Sequence, residues 1–343
     1  MKKKTQKDSR ASQIDVARLA GVSQAAVSRT FTPGASVSAE VKQQVLDAAE
    51  QLGYRPNAIA RSLITNSTNI IGIVVVRFAN PYYWQIFKGF TQKLQDLGYS
   101  TLLLNAAQDQ EVEQTLPTAL QYQVDGLIIT SATLSSKMAE ECVRAGTPVV
   151  LFNRYEMGTM ANAVCCDNVG GGKLVANALL DAGYERLAYL AGEEGSSTNR
   201  DREQGFIHQL QTRGHTLAFR ESGNEYTYEA GYAAAKRLLQ NDPPPNAVFC
   251  ASDLMAMGML DATKELGLKI PDDLGIVGFD DIKMVAWPSY AITTIRQPIN
   301  RMVDTTIEVL LNAIENSDSE TVMKWIPATL VERNSTRAVN PQE

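Results

Sequence analysis

Gln24, Ala25, Ser28 and Arg29 lie on one side of a short helical stretch, SQAAVSRTF. They offer an amide, a methyl, a hydroxyl and a guanidinium to whatever that side faces. Amides and guanidinium groups read base edges, and hydroxyls take phosphate oxygens, so the chemistry is that of a nucleic-acid reader. A second set of polar groups follows apolar runs further along the chain. Tyr82 and Tyr83 come after IIGIVVV, Thr130 with Ser131 after DGLII, and Asn153 with Arg154 after PVVLF. Arg202 lies beyond ERLAYLAG, Ser252 with Asp253 beyond AVFCA, and Asp280 with Asp281 beyond LGIVGF. Carboxylates that accept from paired hydroxyls, a planar guanidinium that donates and rings that cover apolar faces suit a polyhydroxylated ligand. Nucleophilic catalysis is not suggested, since His208 and His215 are the only histidines and no Ser-His-Asp set is apparent. Cys142, Cys165, Cys166 and Cys250 show no C-x-x-C spacing, so neither a zinc site nor a cofactor is expected.

The first set of side chains needs a helical frame. Ser12 can cap one helix, with Asp15 completing a capping box, and Ile14, Val16, Ala17 and Leu19 form its apolar side. Ala17 permits a close helix crossing, and Gly21 can take the positive φ of a tight turn. Ser23 then caps a second helix that turns Ala26, Val27 and Thr30 inward. Ser38 begins a third, with Val41, Val45, Leu46 and Leu52 buried. The segment YRPNAIARSLI, from Tyr54, is helix-compatible from Asn57 to Leu63 but too short to be stable unaided.

From Ile14 to Leu63 the chain strongly resembles the lactose-repressor/galactose-repressor (LacI/GalR) family of bacterial transcription regulators. The resemblance implies that Gln24, Ala25 and Arg29 read the major groove, with Ser23 and Ser28 on phosphates. It also implies a hinge helix in the minor groove, where Asn57 and Ala60 accompany Leu63, the apolar wedge between base steps. Thr32 stands where the family usually has an asparagine.

The rest of the chain alternates strand and helix patterns about ten times, the mark of doubly wound α/β sheets. Its length, roughly 270 residues, exceeds one such core and calls for two lobes. Ligands sit beyond the carboxyl ends of such strands, so a cleft between facing lobes would collect the second polar set. Gly170, Gly171 and Gly172 fit a helix start packed closely on its sheet better than a phosphate loop. The family resemblance extends through GFDD, TTIRQP and LVERNSTR. It implies Arg202 and Asp280 as the main effector anchors, with Tyr226 stacking and Tyr82, Tyr83, Thr130, Asn153 and Ser252 around them.

Charge separates the two parts. Residues 1–68 hold ten Lys and Arg against five Asp and Glu, a net of +5; the whole chain is −6, which leaves −11 for the remainder. A basic head attracts phosphate and an acidic body does not. The expected organisation is a basic tail over 1–11, a helix-turn-helix domain over 12–55, a hinge over 56–68 and a two-lobed core over 69–337, then a tail over 338–343. Lobe 1 is expected over 69–163 plus 294–322 and lobe 2 over 164–293 plus 323–337, resembling periplasmic sugar-binding proteins. The function expected is that of a cytoplasmic, nucleoid-associated repressor, not an enzyme. It would bind a pseudo-palindromic operator as a homodimer under control of a carbohydrate-derived effector. The competing reading is a cytoplasmic sugar-binding or sugar-modifying protein whose N-terminal helices serve only dimerisation. No apolar stretch suits a signal peptide or a membrane span.

Overall fold

The computed structural model describes residues 11–32, 34–56, 67–76, 80–106, 112–130, 135–159, 161–316 and 320–338. The basic tail ahead of residue 11, the hinge candidates Asn57, Ala60 and Leu63, and also Ser131 and Arg77, the guanidinium directly after IIGIVVV, lie outside them. The chain divides into two units, residues 1–68 and 69–343.

In the first unit three helices, α1 (Gln13–Ala20), α2 (Gln24–Thr30) and α3 (Ala39–Gln51), enclose a small core. Ser12 caps α1 by accepting from the Asp15 amide, while the Asp15 carboxylate accepts from the Ser12 amide at 3.0 Å. Gly21 ends the helix at φ 66°, the left-handed conformation that its lack of a Cβ makes cheap. Val16, Ala17, Val27, Val45, Ala48 and Ala49 are buried together, with Phe31 and Tyr54 packed against them. Ile14 and Leu19, expected on the inner face, are instead exposed by 52% and 47%. At about 100° per residue, Leu19 sits roughly 200° from Ala17, too far round to share its face. Leu46 and Leu52 are likewise exposed. Ala48 and Ala49 take the inner positions on α3, and their small side chains leave no room for a leucine stripe.

The second unit holds two six-stranded sheets. The first contains β1 (Ile70–Val76), β2 (Ser100–Ala106), β3 (Gly126–Thr130), β4 (Val149–Phe152), β5 (Asn162–Cys166) and β11 (Met323–Ile326), in the order β11-β5-β4-β3-β1-β2. The second contains β6 (Leu187–Ala191), β7 (Phe219–Ser222), β8 (Ala247–Cys250), β9 (Gly275–Asp280), β10 (Thr293–Arg296) and β12 (Thr329–Val331), in the order β12-β10-β9-β8-β6-β7. All neighbours run parallel except β10 and β12. Helices α4 (Pro81–Asp96), α5 (Val112–Gln121) and α6 (Ser136–Arg144) connect strands of the first sheet. Helices α7 (Asn168–Asp181), α8 (Ser197–Thr212), α9 (Tyr228–Leu238) and α10 (Asp253–Glu265) serve the second. Among the described residues no helix is long and apolar enough to cross a membrane.

The lobe boundaries differ from the expected ones at three places. β5, split by a boundary expected at residue 164, belongs wholly to the first sheet beside β4. Residues 323–326 also join the first sheet, and β10 lies wholly in the second. Strands buried on both faces look alike in either lobe, so apolar runs do not say which sheet receives them. The chain therefore passes between lobes three times: after β5, after β10 and between β11 and β12. The helix α11 (Ile299–Glu315), which the sequence reading did not assign, follows the second passage. Met302, Val303, Thr306, Ile307 and Leu310 form its buried stripe against the first lobe.

Two close approaches fix the second lobe. A Cβ on Gly172 would collide with the Arg202 carbonyl oxygen, and one on Gly205 with the Val169 carbonyl oxygen, so α7 and α8 touch backbone to backbone. Asp253, the first residue of α10, is fully buried. Its carboxyl accepts from the Ile282 amide at 2.8 Å and from the Thr294 hydroxyl at 2.5 Å, tying helix to strands. Burial, and then the Asp280 carboxylate nearby, push its pKa up to about 8. The native state thus keeps a proton that the unfolded chain, with an ordinary carboxylate, gives up near pH 4. Asp253 therefore costs stability as pH rises towards and through 8. Melting curves should show wild type losing stability relative to Asp253→Asn between about pH 5 and pH 8. A difference that stays constant across that range would refute the buried-proton account.

Candidate functional site

On α2 the side chains of Gln24, Ala25 and Arg29 are exposed and Ser28 is half-buried, while Val27 alone faces the core. The Gln24 carbonyl accepts from the Gln13 side chain at 3.1 Å, which ties the start of α2 to α1. Arg29 Nε donates to the Ala25 carbonyl at 3.3 Å, holding the guanidinium along the helix. Ser23 Oγ accepts from the Ala26 amide as the cap of α2. An exposed face of amide, methyl, hydroxyl and guanidinium, on a helix propped against two others, is fitted to enter a groove.

The second lobe gathers its polar groups around Arg202, which is 3% exposed on α8. The guanidinium lies over the Phe279 ring, 3.7 Å from its centroid. Nε donates to Asn168 Oδ1 at 2.9 Å, Nη1 to the Ala251 carbonyl at 2.5 Å and Nη2 to Asp280 Oδ1 at 3.4 Å. Asp280 closes β9 with φ 123°, a conformation costly for any residue but glycine, and Asp281 follows at φ 57°. This bend turns consecutive carboxylates to different partners. Asp281 accepts from Arg296 and Arg333, each at 2.6 Å, whereas Asp280 faces Arg202. Burial pushes the Asp280 pKa up to about 6, with Arg202 and Gln297 pulling it back. At neutral pH the carboxylate is ionised and paired.

From Asp280 the network crosses to the first lobe. Gln297, just past β10, donates to Asp280 Oδ1 at 2.7 Å and accepts from the Tyr82 hydroxyl at 2.8 Å. Tyr82 is buried on the first turn of α4, next to Tyr83, whose ring meets it edge-on at 5.2 Å. A cavity of about 350 Å³ opens here, walled by Gln85, Asp280, Asp281, Arg296, Gln297 and the start of α11.

A second bridge joins the lobes. The Arg154 guanidinium pairs with the Glu193 carboxylate, joining the segment after β4 to the segment after β6. The Tyr155 hydroxyl donates to Asp201 Oδ1 at 3.1 Å and accepts from Arg200 at 3.0 Å. The preceding residue, Asn153, sits at φ 69° with only 5% exposure. Its Oδ1 is buried without a hydrogen-bond partner.

The remaining expected residues are placed less openly. Thr130 is wholly buried and its hydroxyl donates to the Val74 carbonyl within the first sheet. Ser252 accepts from the Met255 amide as the cap of α10. Tyr226 covers Gly192 with its ring, and its hydroxyl meets Ser196 Oγ at 2.6 Å and Thr198 Oγ1 at 3.0 Å. Thus Arg202, Asp280 and Tyr82 come together, joined by Gln297, while Thr130 and Ser252 have their oxygens engaged by backbone. Sequence reasoning missed Gln297 and the Glu193 and Asp201 partners. The rule that finds polar groups just past a strand end would have found Gln297.

Comparison with known proteins extends this picture along the chain. Residues 14–57 match the bacterial regulatory proteins of the lacI family, and residues 176–336 match a periplasmic binding protein-like domain. The Ribose operon repressor of Escherichia coli (strain K12) is 30% identical over 329 residues, covering 95% of this chain and 99% of its own. The HTH-type transcriptional regulator GalS of Salmonella typhimurium is 32% identical over 325 residues, covering 94% of this chain and 95% of its own. Among solved structures, the lac repressor dimer bound to operator and the anti-inducer ONPF aligns with a TM-score of 0.86 at 26% identity. That alignment covers 96% of this chain and all of the other. These relatives are regulators rather than enzymes, and the similarity takes in both the three-helix head and the two-sheet body. The chain belongs to the lactose-repressor/galactose-repressor family of bacterial transcription regulators.

Proposed function

We propose that this protein is a cytoplasmic repressor that grips a pseudo-palindromic operator as a homodimer. A small carbohydrate-derived effector between the lobes sets the strength of that grip. One observation carries the effector half: the bonded series Tyr82, Gln297, Asp280, Arg202 runs from the first lobe into the second. A guest that meets this series touches both lobes and stabilises whichever lobe arrangement suits it. Unequal affinity for two arrangements is all that linkage requires.

The DNA half rests on the exposed face of α2 in a head whose sequence is net positive. Two heads supply two half-sites and double the phosphate contacts. The hinge candidates Asn57, Ala60 and Leu63 complete the reading, with Leu63 wedged between base steps at the operator centre. Lobe movement would alter the spacing of the two hinges and so the fit to DNA.

Selection of bound genomic fragments, followed by gel shifts with and without sugars, tests the whole reading. Operator binding that no small molecule alters would refute effector control. Arg29→Ala should weaken operator binding by about tenfold or more, the worth of one good base contact, with effector affinity unchanged. Leu63→Ala should weaken it too, and an unaltered gel-shift affinity would dismiss the wedge. Asp280→Asn should reduce effector affinity by about 1–3 kcal/mol, because a charged acceptor is lost; calorimetry showing equal affinities would rule out that role.

A further inference from the structure

We infer that the effector is uncharged and donates hydrogen bonds to both lobes, so that phosphorylated and acidic analogues are refused; this rests on the effector reading above. The first ground is charge pairing. Arg202 is paired with Asp280, Arg154 with Glu193, and Arg200 with Asp201. Arg296, on the cavity wall, is paired with Asp281. An anionic guest would have to draw a guanidinium from its carboxylate and leave that carboxylate stranded. For Asp280, 7% exposed, or Asp201, 4% exposed, the stranded charge would sit in low dielectric. Arg301 also lines the cavity but is exposed, where water and salt screen it.

The second ground is the acceptors left open. Both bonds that Asp280 accepts end on Oδ1, which leaves Oδ2 for a donor on the guest. In the first lobe Asn153 Oδ1 is buried with no donor, a state that buried oxygens rarely keep. A hydroxyl suits this amide in either orientation, since it can donate and accept. One acceptor in each lobe asks for a molecule carrying at least two hydroxyl or N–H groups. A neutral sugar, polyol or nucleobase meets that demand; a phosphate or carboxylate adds only acceptors and charge.

The test uses the full-length protein in thermal-shift assays and calorimetry. Pentoses, hexoses, disaccharides and nucleobases are set against the sugar phosphates, aldonic acids and nucleotides built on them. The expected result is a neutral ligand whose charged analogue binds about a hundredfold more weakly or worse. Glu193→Gln, which removes the carboxylate paired with Arg154, should narrow that gap by about tenfold or more while its melting curve stays that of a folded protein. A charged analogue that binds as well as the neutral compound, and moves operator affinity with it, overturns this inference and leaves the effector reading standing. A gap unchanged in Glu193→Gln also overturns it, because pairing would not be its cause. If neither class binds or alters operator affinity, the effector reading falls and this inference with it.

Discussion

The buried pair of Arg202 and Asp280 is the constraint around which the second unit is arranged. A guanidinium with 3% exposure is tolerable only if every face of it is occupied. Asn168, the Ala251 carbonyl, Asp280 and the Phe279 ring occupy those faces, and they come from α7, the end of β8 and β9. Packing around the pair explains other choices. α8 can bring Arg202 this deep only because Gly172 and Gly205 let it lie against α7 without side chains between. The positive φ of Asp280 is the conformational cost of presenting one carboxylate to Arg202 while its neighbour serves Arg296 and Arg333.

The same pair links the two lobes. Gln297 extends it to Tyr82, so the buried charge of one lobe is hydrogen-bonded into the helix of the other. Arg154 with Glu193 and Tyr155 with Asp201 add a second seam. Each seam is polar and close to the strand ends. Polar seams of this kind exchange partners at low net cost, whereas an apolar seam would resist opening. One closely packed apolar cluster runs from the first lobe into the second, and another covers the remaining face of the first sheet, so the polar seams lie beside apolar contact.

Much of this was legible in the residues. Ser12 with Asp15, Gly21 and Ser23 announce the turn of the head through local rules that tertiary context did not override. The order of strands and helices followed from apolar runs separated by amphipathic stretches. What was hidden depends on distance in space. The leucines at 19, 46 and 52 and Ile14 are apolar yet exposed, because small alanines define the contact faces of α1 and α3. Sheet membership of β5, β10 and β11 is set by hydrogen-bond partners distant in sequence. The partners of Arg154 and Arg202 lie 39 and 78 residues away, beyond the reach of any local pattern.

The triple passage of the chain between lobes has a mechanical consequence. Three covalent links leaving neighbouring strands act as a pivot with restricted freedom. Bending about a line through the links remains cheap, while twisting or sliding strains all three together. Cutting the backbone at one passage leaves two tethers, so nicked protein would keep its halves at high effective concentration. Relative motion of the lobes is thereby confined to a narrow track instead of diffuse loosening.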